Sequence, residues 1–329
     1  MRVCDIGERG LLERLHRFCP TGVVGDDAAV LSFPTFHQLV VTTDTLVDGV
    51  HFSPATTNAE DAGWRAVAAN LSDLASMGAF PIGITVSLGL PGETPVQWVE
   101  GLYRGMKDCL DRFETTIVGG DLCKSPVVSV SITAFGRVKP DSIIRRSQAK
   151  PGDSIVVTGV HGASRGGLEL LLNPETGQTL SPQQRDRLIR AHQRPMPRVD
   201  AIAALWEACD GEMRVAGMDS SDGLADAAVQ ISRESGVAAQ LWLERLPIAS
   251  ELSAMVSQET ARQWTLYGGE DFELVLCLPP ESARRFVSQV AGASVVGEIV
   301  DGEGAWLVDG DAREPLTMQG GFQHFKGEA

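Results

Sequence analysis

Five short segments place acidic residues beside glycine, serine or threonine, where the chain is expected to turn. They are GDDAAV (25–30), TTDTLVDGVHF (42–52), NLSDLASMG (70–78), VGGDLCKS (118–125) and MDSSDGLAD (218–226). Taken singly, each has an ordinary structural explanation, because aspartate is common in turns, and serine and aspartate are common helix N-caps, a role open to Ser221 or Asp222. As a set they indicate a site for hard cations, because Mg²⁺ prefers oxygen ligands and usually keeps several waters.

Two of these segments have a geometry that residue spacing predicts. Thr42 and Asp44 are two residues apart on a predicted strand, so both side chains project from one face of it. Asp73 falls in the last turn of a predicted helix that Gly78 ends. The partial negative charge of a helix C-terminus disfavours a carboxylate there by about 0.3–1 kcal/mol. A cation bound beside Asp73 would offset that cost.

The usual phosphate-binding motifs are missing from the sequence. No G-x-x-x-x-G-K-[ST] occurs, and TGVHGASRGG (158–167) lacks the spacing of a dinucleotide fingerprint, so we interpret it as a structural turn. An acidic protein of this kind can bind a polyphosphate when metal ions neutralise both partners and a few arginines help. Arg145 and Arg146 are the basic candidates, with a solvated loop as the alternative. His51, seven residues after Asp44, is either structural or part of the acidic site.

Composition restricts the classes of function. The chain has 329 residues, of which 43% are hydrophobic and 22% charged, as expected for a globular protein of two domains. Its 43 acidic and 28 basic residues give a net charge of −15, which disfavours nonspecific binding to nucleic acid or anionic membranes. No signal peptide or long apolar run is apparent, so the cytoplasm is expected. Six cysteines without metal-like spacing are expected to be reduced, mostly buried, and structural or incidental in role.

The predicted elements mix strands and helices throughout, which favours an α/β (mixed α+β) fold. The polar segment KPDSIIRRSQAKPG breaks the periodicity. We therefore predict a first domain over residues 1–138, a linker over 139–152 and a second α/β domain over 153–329. Residues 173–198 are expected to be rich in loops.

Together, the segments resemble a known family. GDDAAV, TTDTLVDGVHF, NLSDLASMGAFP, GGD, RSQAKPGD, DSSDGLAD and GGEDFEL occur in the order and approximate spacing of the thiamine-monophosphate kinase family. That family shares a superfamily with aminoimidazole ribonucleotide synthetase, and the resemblance extends from about Gly7 to Phe325. The acid-rich turns recur across the superfamily, whereas T-D-T-L-V-x-G-x-H-F combined with N-L-S-D-L-A-x-M-G is specific to the kinase.

The resemblance implies both a reaction and an assembly. The reaction is ATP-dependent phosphorylation of thiamine monophosphate to thiamine diphosphate with release of ADP, the last step of thiamine diphosphate biosynthesis. We expect direct in-line transfer assisted by several Mg²⁺ ions, without a general base, because the acceptor phosphate is already largely dianionic at pH 7. The assembly is a homodimer in which the mixed sheets of the N-terminal Mg/ATP-binding domains pair. Some relatives require K⁺, and the sequence leaves that requirement open.

The resemblance also assigns roles to individual positions. For Mg²⁺ it implies Asp27, Thr42, Thr43, Asp44, Asp73, Asp121, Asp219 and Asp222. For ATP it implies Tyr103, Gly120, Asp121, Arg146 and Ser221. For thiamine monophosphate it implies His51, Glu270 and Phe322. Two positions depart from the family pattern: Ser220 stands where relatives often have an apolar residue, and Phe322 where tyrosine also occurs.

Two enzymes of the superfamily and one non-catalytic class are the alternatives. The hydrogenase-maturation dehydratase uses a C-terminal cysteine, whereas this chain has none after Cys277. Selenophosphate synthetase needs a reactive cysteine or selenocysteine in a glycine-rich N-terminal segment, a setting that Cys4 and Cys19 lack. An acidic protein that binds metal or nucleotide without catalysis remains a further alternative, distinguished by Mg²⁺ binding without formation of ADP.

Overall fold

The computed structural model describes residues 1–19, 33–210 and 214–321, with no account of the side chains of residues 7–9, 12 and 319. The chain divides into two compact units, Met1–Leu74 with Ala79–Pro140, and Ala75–Gly78 with Asp141–Ala329. The longer segment of the second unit begins at Asp141, inside the stretch predicted as a linker. In the described part of the chain, no helix combines the length and apolar character needed to cross a membrane.

The first unit has a mixed sheet with helices on one face. Its elements are α1 (Val3–Leu15), β1 (Gln38–Val47), α2 (Ala59–Ser76, whose last two residues group with the second unit), β2 (Phe80–Leu90), α3 (Val96–Arg112), β3 (Ile117–Lys124) and β4 (Ser129–Val138). The described strands pair in the order β1-β4-β2-β3, with β2 and β3 parallel and the other pairs antiparallel. This arrangement confirms the predicted mixed α/β character.

Alternation along the strands decides which side chains of the first unit form its core. Val86 on β2 and Ile132 on β4 are fully buried, as are Leu71 of α2 and Met106 of α3. The opposite face of the sheet carries hydroxyl and exposed apolar side chains, because successive residues of a strand point to opposite sides. The sequence pattern predicts this helix over about Glu60–Met77, which agrees with α2 to within a residue at each end, and Gly78 adopts a φ of +73° just beyond it.

The second unit contains a larger mixed sheet. Its strands are β5 (Ser154–Val157), β6 (Ala216–Asp219), β7 (Ala238–Trp242), β8 (Leu274–Leu278), β9 (Ser294–Val300), β10 (Gly304–Asp309) and β11 (Ala312–Pro315). Its α-helices are α4 (Ala163–Leu172), α5 (Pro182–Gln193), α6 (Ala201–Ala208), α7 (Leu224–Ser235), α8 (Leu252–Met255), α9 (Gln258–Tyr267) and α10 (Pro280–Gln289). The described strands are ordered β11-β10-β7-β9-β5-β8-β6.

Helix α5 corrects the expectation that residues 173–198 are mainly loop. Ser181 caps this helix: its side chain accepts the Gln184 N–H, while the Gln184 side chain accepts the Ser181 N–H. Pro182 occupies the first turn, where its missing N–H costs nothing. The helix is strongly polar and buries mainly Leu188 and His192, so it lacks the apolar stripe on which the prediction relied.

Half of the cysteines are buried, whereas the sequence predicted that most of them would be. All six are free thiols, and three of them, Cys109, Cys209 and Cys277, are buried. Cys4 and Cys123 are exposed, and Cys19 is intermediate.

Candidate functional site

In the first unit, β1 and α2 bring together a hydroxyl and a carboxylate that were singled out separately. The Thr42 hydroxyl donates a hydrogen bond to Oδ2 of Asp73 over 2.5 Å. Thr42 lies on the same strand face as Asp44, two residues on, and both side chains are partly buried. The tertiary fold therefore places Asp73 beside the strand whose spacing predicted a shared oxygen site.

His51 is held by the end of β1. Its ring Nδ1 accepts the backbone N–H of Val47 over 3.0 Å, and the backbone N–H of His51 donates to the Val47 carbonyl over 2.9 Å. Because Nδ1 acts as an acceptor, the neutral ring carries its proton on Nε2. This arrangement fixes the orientation of the imidazole and suits a contact residue better than a mobile proton acceptor.

Other predicted positions of the first unit lie apart from this pair. Thr43 points to the opposite face of β1 and donates to the Ile132 carbonyl over 2.9 Å. Asp121 lies on β3, the other edge strand, in register with Ser87, and is exposed. With two strands between β1 and β3, roughly 14 Å separates their backbones, so this sheet alone does not unite Asp121 with Asp44.

Gly120 and Tyr103 both have clear packing roles. A Cβ at Gly120 would lie 2.1 Å from the Val86 carbonyl oxygen, so the close approach of β3 to β2 requires glycine. Tyr103 is 5% exposed on α3, and its ring centroid lies 5.6 Å from that of Phe18. Burial raises the pKa of the Tyr103 hydroxyl. Their predicted contacts with ATP remain predictions.

In the second unit, Asp219 ends β6 and Asp222 lies in the tight turn that follows. Asp219 is 4% exposed and accepts the Ser221 hydroxyl at Oδ1 over 3.1 Å. The N-cap of α7 is Gly223, with no side-chain cap, so neither Ser221 nor Asp222 serves the ordinary capping role that the sequence alone allowed. Gly223 has a φ of +106°, and a Cβ there would lie 2.7 Å from the Leu266 carbonyl oxygen.

A strained loop meets this turn and carries Glu270. Its φ is +57°, a left-handed conformation that is uncommon for a residue other than glycine. The Glu270 N–H donates to the Ser221 carbonyl over 2.7 Å, which ties the loop to the acidic turn. The carboxylate Oε2 lies 3.8 Å from Nδ1 of the buried His192, and the side chain remains 38% exposed. Glu270 thus presents its carboxylate at the surface from a fixed backbone.

The two acids that follow Glu270 in GGEDFEL are structural supports. Asp271 accepts the backbone N–H groups of Gly162 and Ser164 over 2.7 and 2.9 Å, at the start of α4. Burial raises the pKa of Asp271 to about 7, even though these two hydrogen bonds oppose the shift. Glu273 is paired with Arg198, whose NH1 lies 2.7 Å from its Oε2. Burial raises the pKa of Glu273, and Arg198 opposes that shift.

Buried hydrogen bonds that link Ser220 with Glu273 and His161 hold the turn that contains Asp222 in place. The Glu273 carbonyl accepts both the N–H and the hydroxyl of Ser220, over 2.8 and 3.1 Å. Because the Ser220 hydroxyl donates to that carbonyl, its oxygen accepts from Nε2–H of His161, 3.0 Å away. The serine that departs from the family pattern is therefore fully hydrogen-bonded. Burial lowers the pKa of His161 from its ordinary value of 6.5 to about 4.

The depressed pKa of His161 predicts how stability depends on pH. Below pH 6.5 the unfolded chain protonates this histidine and the folded protein does not, so this group's contribution to stability is lost as the pH falls toward 4. His161→Gln places an amide N–H near the same acceptor and does not titrate. We expect urea unfolding to give similar stabilities for the two proteins at pH 7.5, and a more stable variant at pH 4.5. A stability difference that is the same at both pH values would contradict the prediction.

Arg146, in the segment predicted as a linker, is held on the surface of the second unit. It lies in a single turn of 3-10 helix, Arg146–Gln148, and is exposed. Its NH1 donates to Oε1 of Gln230, and its carbonyl accepts the Ser235 hydroxyl over 2.7 Å. The Arg145 carbonyl also accepts the Gly217 N–H over 3.3 Å. Helix α7 and strand β6 thus fix the backbone that presents Arg146.

Two predicted positions, Asp27 and Phe322, lie outside the described residues. Within the described ranges, no group of three or more His, Cys, Asp or Glu side chains is arranged to hold a metal ion. The donors that are present, the Thr42 hydroxyl with Asp73 and the Asp219 carboxylate with the Ser221 hydroxyl, are oxygen atoms of the kind that Mg²⁺ uses. Since Mg²⁺ needs only one or two carboxylates when phosphate and water complete its shell, these residues fit that ion.

The sequence reasoning missed the supporting residues His161, His192, Arg198 and Asp271. The signal was weak: Asp271 lies inside the GGEDFEL segment, whereas the two histidines and the arginine lie in segments without any acidic cluster. Only tertiary contacts connect them with the 219–222 turn and the Glu270 loop.

Comparison with known proteins extends over nearly the whole chain. Residues 25–138 match the family model for the AIR synthase related protein, N-terminal domain, and residues 150–309 match that for the C-terminal domain. The thiamine-monophosphate kinase of Synechococcus elongatus is 47% identical over 324 residues, which cover 98% of this chain and 97% of that protein.

Solved structures give the same result. The crystal structure of thiamine-monophosphate kinase from Stenotrophomonas maltophilia K279a has a TM-score of 0.79 and 33% identity, covering 90% of this chain and 95% of that one. The structure of AaThiL complexed with AMPPCP and TMP has a TM-score of 0.74 and 32% identity, covering 93% and 95% of the two chains. The chain is therefore a kinase that belongs to the thiamine-monophosphate kinase family of the AIR synthase related proteins.

Proposed function

We propose that this protein transfers the γ-phosphoryl group of ATP to thiamine monophosphate, forming thiamine diphosphate and ADP. The observation that carries the proposal is the 47% identity with a thiamine-monophosphate kinase over almost the full length of both chains. The likeness to AaThiL, which was complexed with an ATP analogue and TMP, supports the same pair of substrates. We also propose a cytoplasmic location, which the free cysteines support.

The acceptor phosphate needs little help from a base. A phosphate monoester has a second pKa near 6, so about nine in ten molecules are dianions at pH 7. The fixed orientation of His51, whose Nδ1 already accepts the Val47 N–H, supports a role in contacting or positioning substrate. We infer a direct in-line transfer without a phosphoenzyme, in which the residues of the site bind and align the two phosphates.

Charge is the main obstacle to this reaction. Two like unit charges 4 Å apart repel by about 4 kcal/mol at an effective dielectric constant of 20. Bound Mg²⁺ would supply the positive charge that neutralises donor and acceptor oxygens. In the first unit we assign Thr42, Asp44 and Asp73 to hold it, and in the second Asp219 and Asp222. The proposed contributions of Asp27, Thr43 and Asp121, and any requirement for K⁺, rest on the family resemblance.

Glu270 has the charge needed to bind the cationic thiazolium end of thiamine monophosphate. The thiazolium ring of thiamine carries a positive charge, and a partly exposed carboxylate on a rigid loop attracts such a cation. The hydrogen bond from the Glu270 N–H to the Ser221 carbonyl places this loop against the acidic turn. We assign Glu270 to the thiamine moiety and Phe322 to an aromatic contact with it.

Four further residues are assigned to the binding of ATP: Arg146, Ser221, Tyr103 and Gly120.

The first unit also supports a homodimer. The face of its sheet opposite the helices exposes Leu39 and Val41 by 52% and 53%, and Val41 is in register with the half-buried Phe135. An apolar patch of this kind on a sheet face favours association. We propose that the same face of a second copy covers it, as the family resemblance implies. A molar mass near 35.2 kDa by light scattering would contradict this assembly, whereas twice that value would support it.

The decisive experiment offers the purified protein Mg-ATP with thiamine monophosphate or, separately, with free thiamine. We expect stoichiometric thiamine diphosphate and ADP from thiamine monophosphate and no product from free thiamine. Thiamine diphosphate formed from free thiamine would overturn the assignment. ATP binding without ADP formation in either reaction would favour the non-catalytic alternative.

A further inference from the structure

Helix α7 presents two polar side chains, Gln230 and Ser235, to the segment that carries Arg146, and a third, Asp226, contacts Gln230. Oε1 of Gln230 accepts a hydrogen bond from NH1 of Arg146, and Nε2 of Gln230 donates to Oδ2 of Asp226, each over 2.5 Å. Ser235, at the end of the helix, donates to the Arg146 carbonyl over 2.7 Å and accepts the Ala149 N–H over 3.0 Å. The helix therefore holds both the backbone and the guanidinium of Arg146.

The orientation of the Gln230 amide follows from its two neighbours. An ionised carboxylate only accepts hydrogen bonds and a guanidinium only donates them. Asp226, one turn earlier on α7 and 7% exposed, therefore takes the amide NH₂, which leaves the amide oxygen directed at Arg146. Reversal of the amide would place donor against donor at Arg146. Asp226 thus acts on Arg146 through Gln230, without touching it.

We propose that Asp226 and Gln230 are positioning residues that hold the Arg146 guanidinium ready for the phosphates of ATP. The inference rests on the proposed function, in which Arg146 contacts ATP. An arginine side chain on an exposed segment loses rotamer freedom when it binds a phosphate, and a guanidinium already held in place loses less. The bond to Gln230 uses one of five N–H donors, so the guanidinium retains donors for phosphate oxygens.

Steady-state kinetics of three variants test this arrangement. Gln230→Leu removes the acceptor, and we expect it to raise KM for ATP about three- to tenfold, which lies within the range for the net contribution of one ordinary hydrogen bond, because the lost bond positions Arg146 and does not itself contact ATP. KM for thiamine monophosphate should stay unchanged. Asp226→Asn removes the carboxylate that orients the amide, so a smaller rise is expected. The double variant should match Gln230→Leu alone, because Asp226 has no route to Arg146 once the amide is gone.

Helix α9 supplies a matched control. Gln263 donates to Glu259 one turn earlier, as Gln230 does to Asp226, but among the residues that the structure describes Gln263 makes no hydrogen bond to an arginine of another segment. Gln263→Leu should leave KM for ATP unchanged. Affinity for AMPPCP by calorimetry gives a readout that does not depend on turnover, and it should fall by the same factor as KM rises in Gln230→Leu.

Two failures are distinguishable in this design. If the wild-type protein forms no thiamine diphosphate, the proposed function fails. If the wild-type protein is active but Gln230→Leu leaves both KM for ATP and AMPPCP affinity unchanged, the positioning role is overturned while the function stands. Equal rises in KM for both substrates, or additive effects of the two substitutions, would also overturn it, since they indicate general damage to α7.

Discussion

Asp73→Asn should lower kcat by about 10²-fold and raise the Mg²⁺ concentration needed for half-maximal rate, while the protein stays folded. The asparagine oxygen can still accept the hydrogen bond that the Thr42 hydroxyl donates to Asp73, so the local packing of α2 against β1 is retained. The variant loses the negative charge that we assign to cation binding. Removal of one preorganised electrostatic contact commonly costs 10²–10³-fold in turnover, which sets the expected size of about two orders of magnitude.

Three measurements make this prediction specific. Steady-state kinetics at several Mg²⁺ concentrations give kcat and the Mg²⁺ dependence, and thermal unfolding shows whether the fold survives. Glu60→Gln is the control, since Glu60 lies on the same helix, loses the same charge and pairs with Arg104 at the surface. That variant should keep near-normal turnover. A folded Asp73→Asn protein with a near-normal rate would remove Asp73 from the site.

Local spacing was sufficient to predict the elements of the first unit that carry this contact. The apolar periodicity and Gly78 defined α2, and the alternation in VVTTD placed Thr42 and Asp44 on one face of β1. Local spacing could not show that Thr42 donates a hydrogen bond to Asp73, because the two residues are 31 positions apart and come together only when the helix packs on the sheet. It also suggested a single acidic cluster, whereas the register of the sheet puts Asp121 on the far edge strand.

In the second unit, local patterns were less informative about the site. The turn MDSSDG was found by its composition, but a possible N-cap role for Ser221 or Asp222 was removed only by the observed cap at Gly223. The contacts that hold this turn come from Glu273 and His161, more than 50 residues away on either side. Long-range hydrogen bonds between loops leave no periodic signal in the sequence, so they require the tertiary structure.

Arg198 and Glu273 form a buried ion pair next to that turn, and its loss should strongly reduce the stability of the protein. Arg198→Met should reduce the free energy of unfolding by about 3–5 kcal/mol, the cost expected when one partner of a buried pair is removed. The Arg198 and Glu273 side chains are only 11% and 16% exposed, and NH1 of Arg198 also donates to the Thr158 carbonyl over 2.6 Å. The substitution leaves the Glu273 carboxylate buried without its counter-ion.

The pH dependence of that loss separates an unpaired charge from a simple packing defect. Burial already raises the pKa of Glu273, and loss of Arg198 should raise it further. A raised carboxyl pKa means that stability is lost as the pH rises through that pKa, so the deficit of Arg198→Met should be larger at pH 8 than at pH 5. Urea unfolding at both pH values measures this, and Arg198→Met/Glu273→Gln should recover much of the deficit because no buried charge remains.

Arg285→Met is the control, because it removes one partner of an exposed ion pair. Arg285 pairs with Asp210 at 2.5 Å, yet these side chains are 39% and 71% exposed, and surface pairs contribute about 0–1 kcal/mol. If Arg198→Met costs no more than Arg285→Met, the buried pair does not stabilise this region. If it costs several times more, then the Glu273 backbone, whose carbonyl accepts two hydrogen bonds from Ser220, is anchored by an interaction strong enough to fix the acidic turn. The stability of the ion pair and the geometry of Asp219 and Asp222 would then be properties of one connected network.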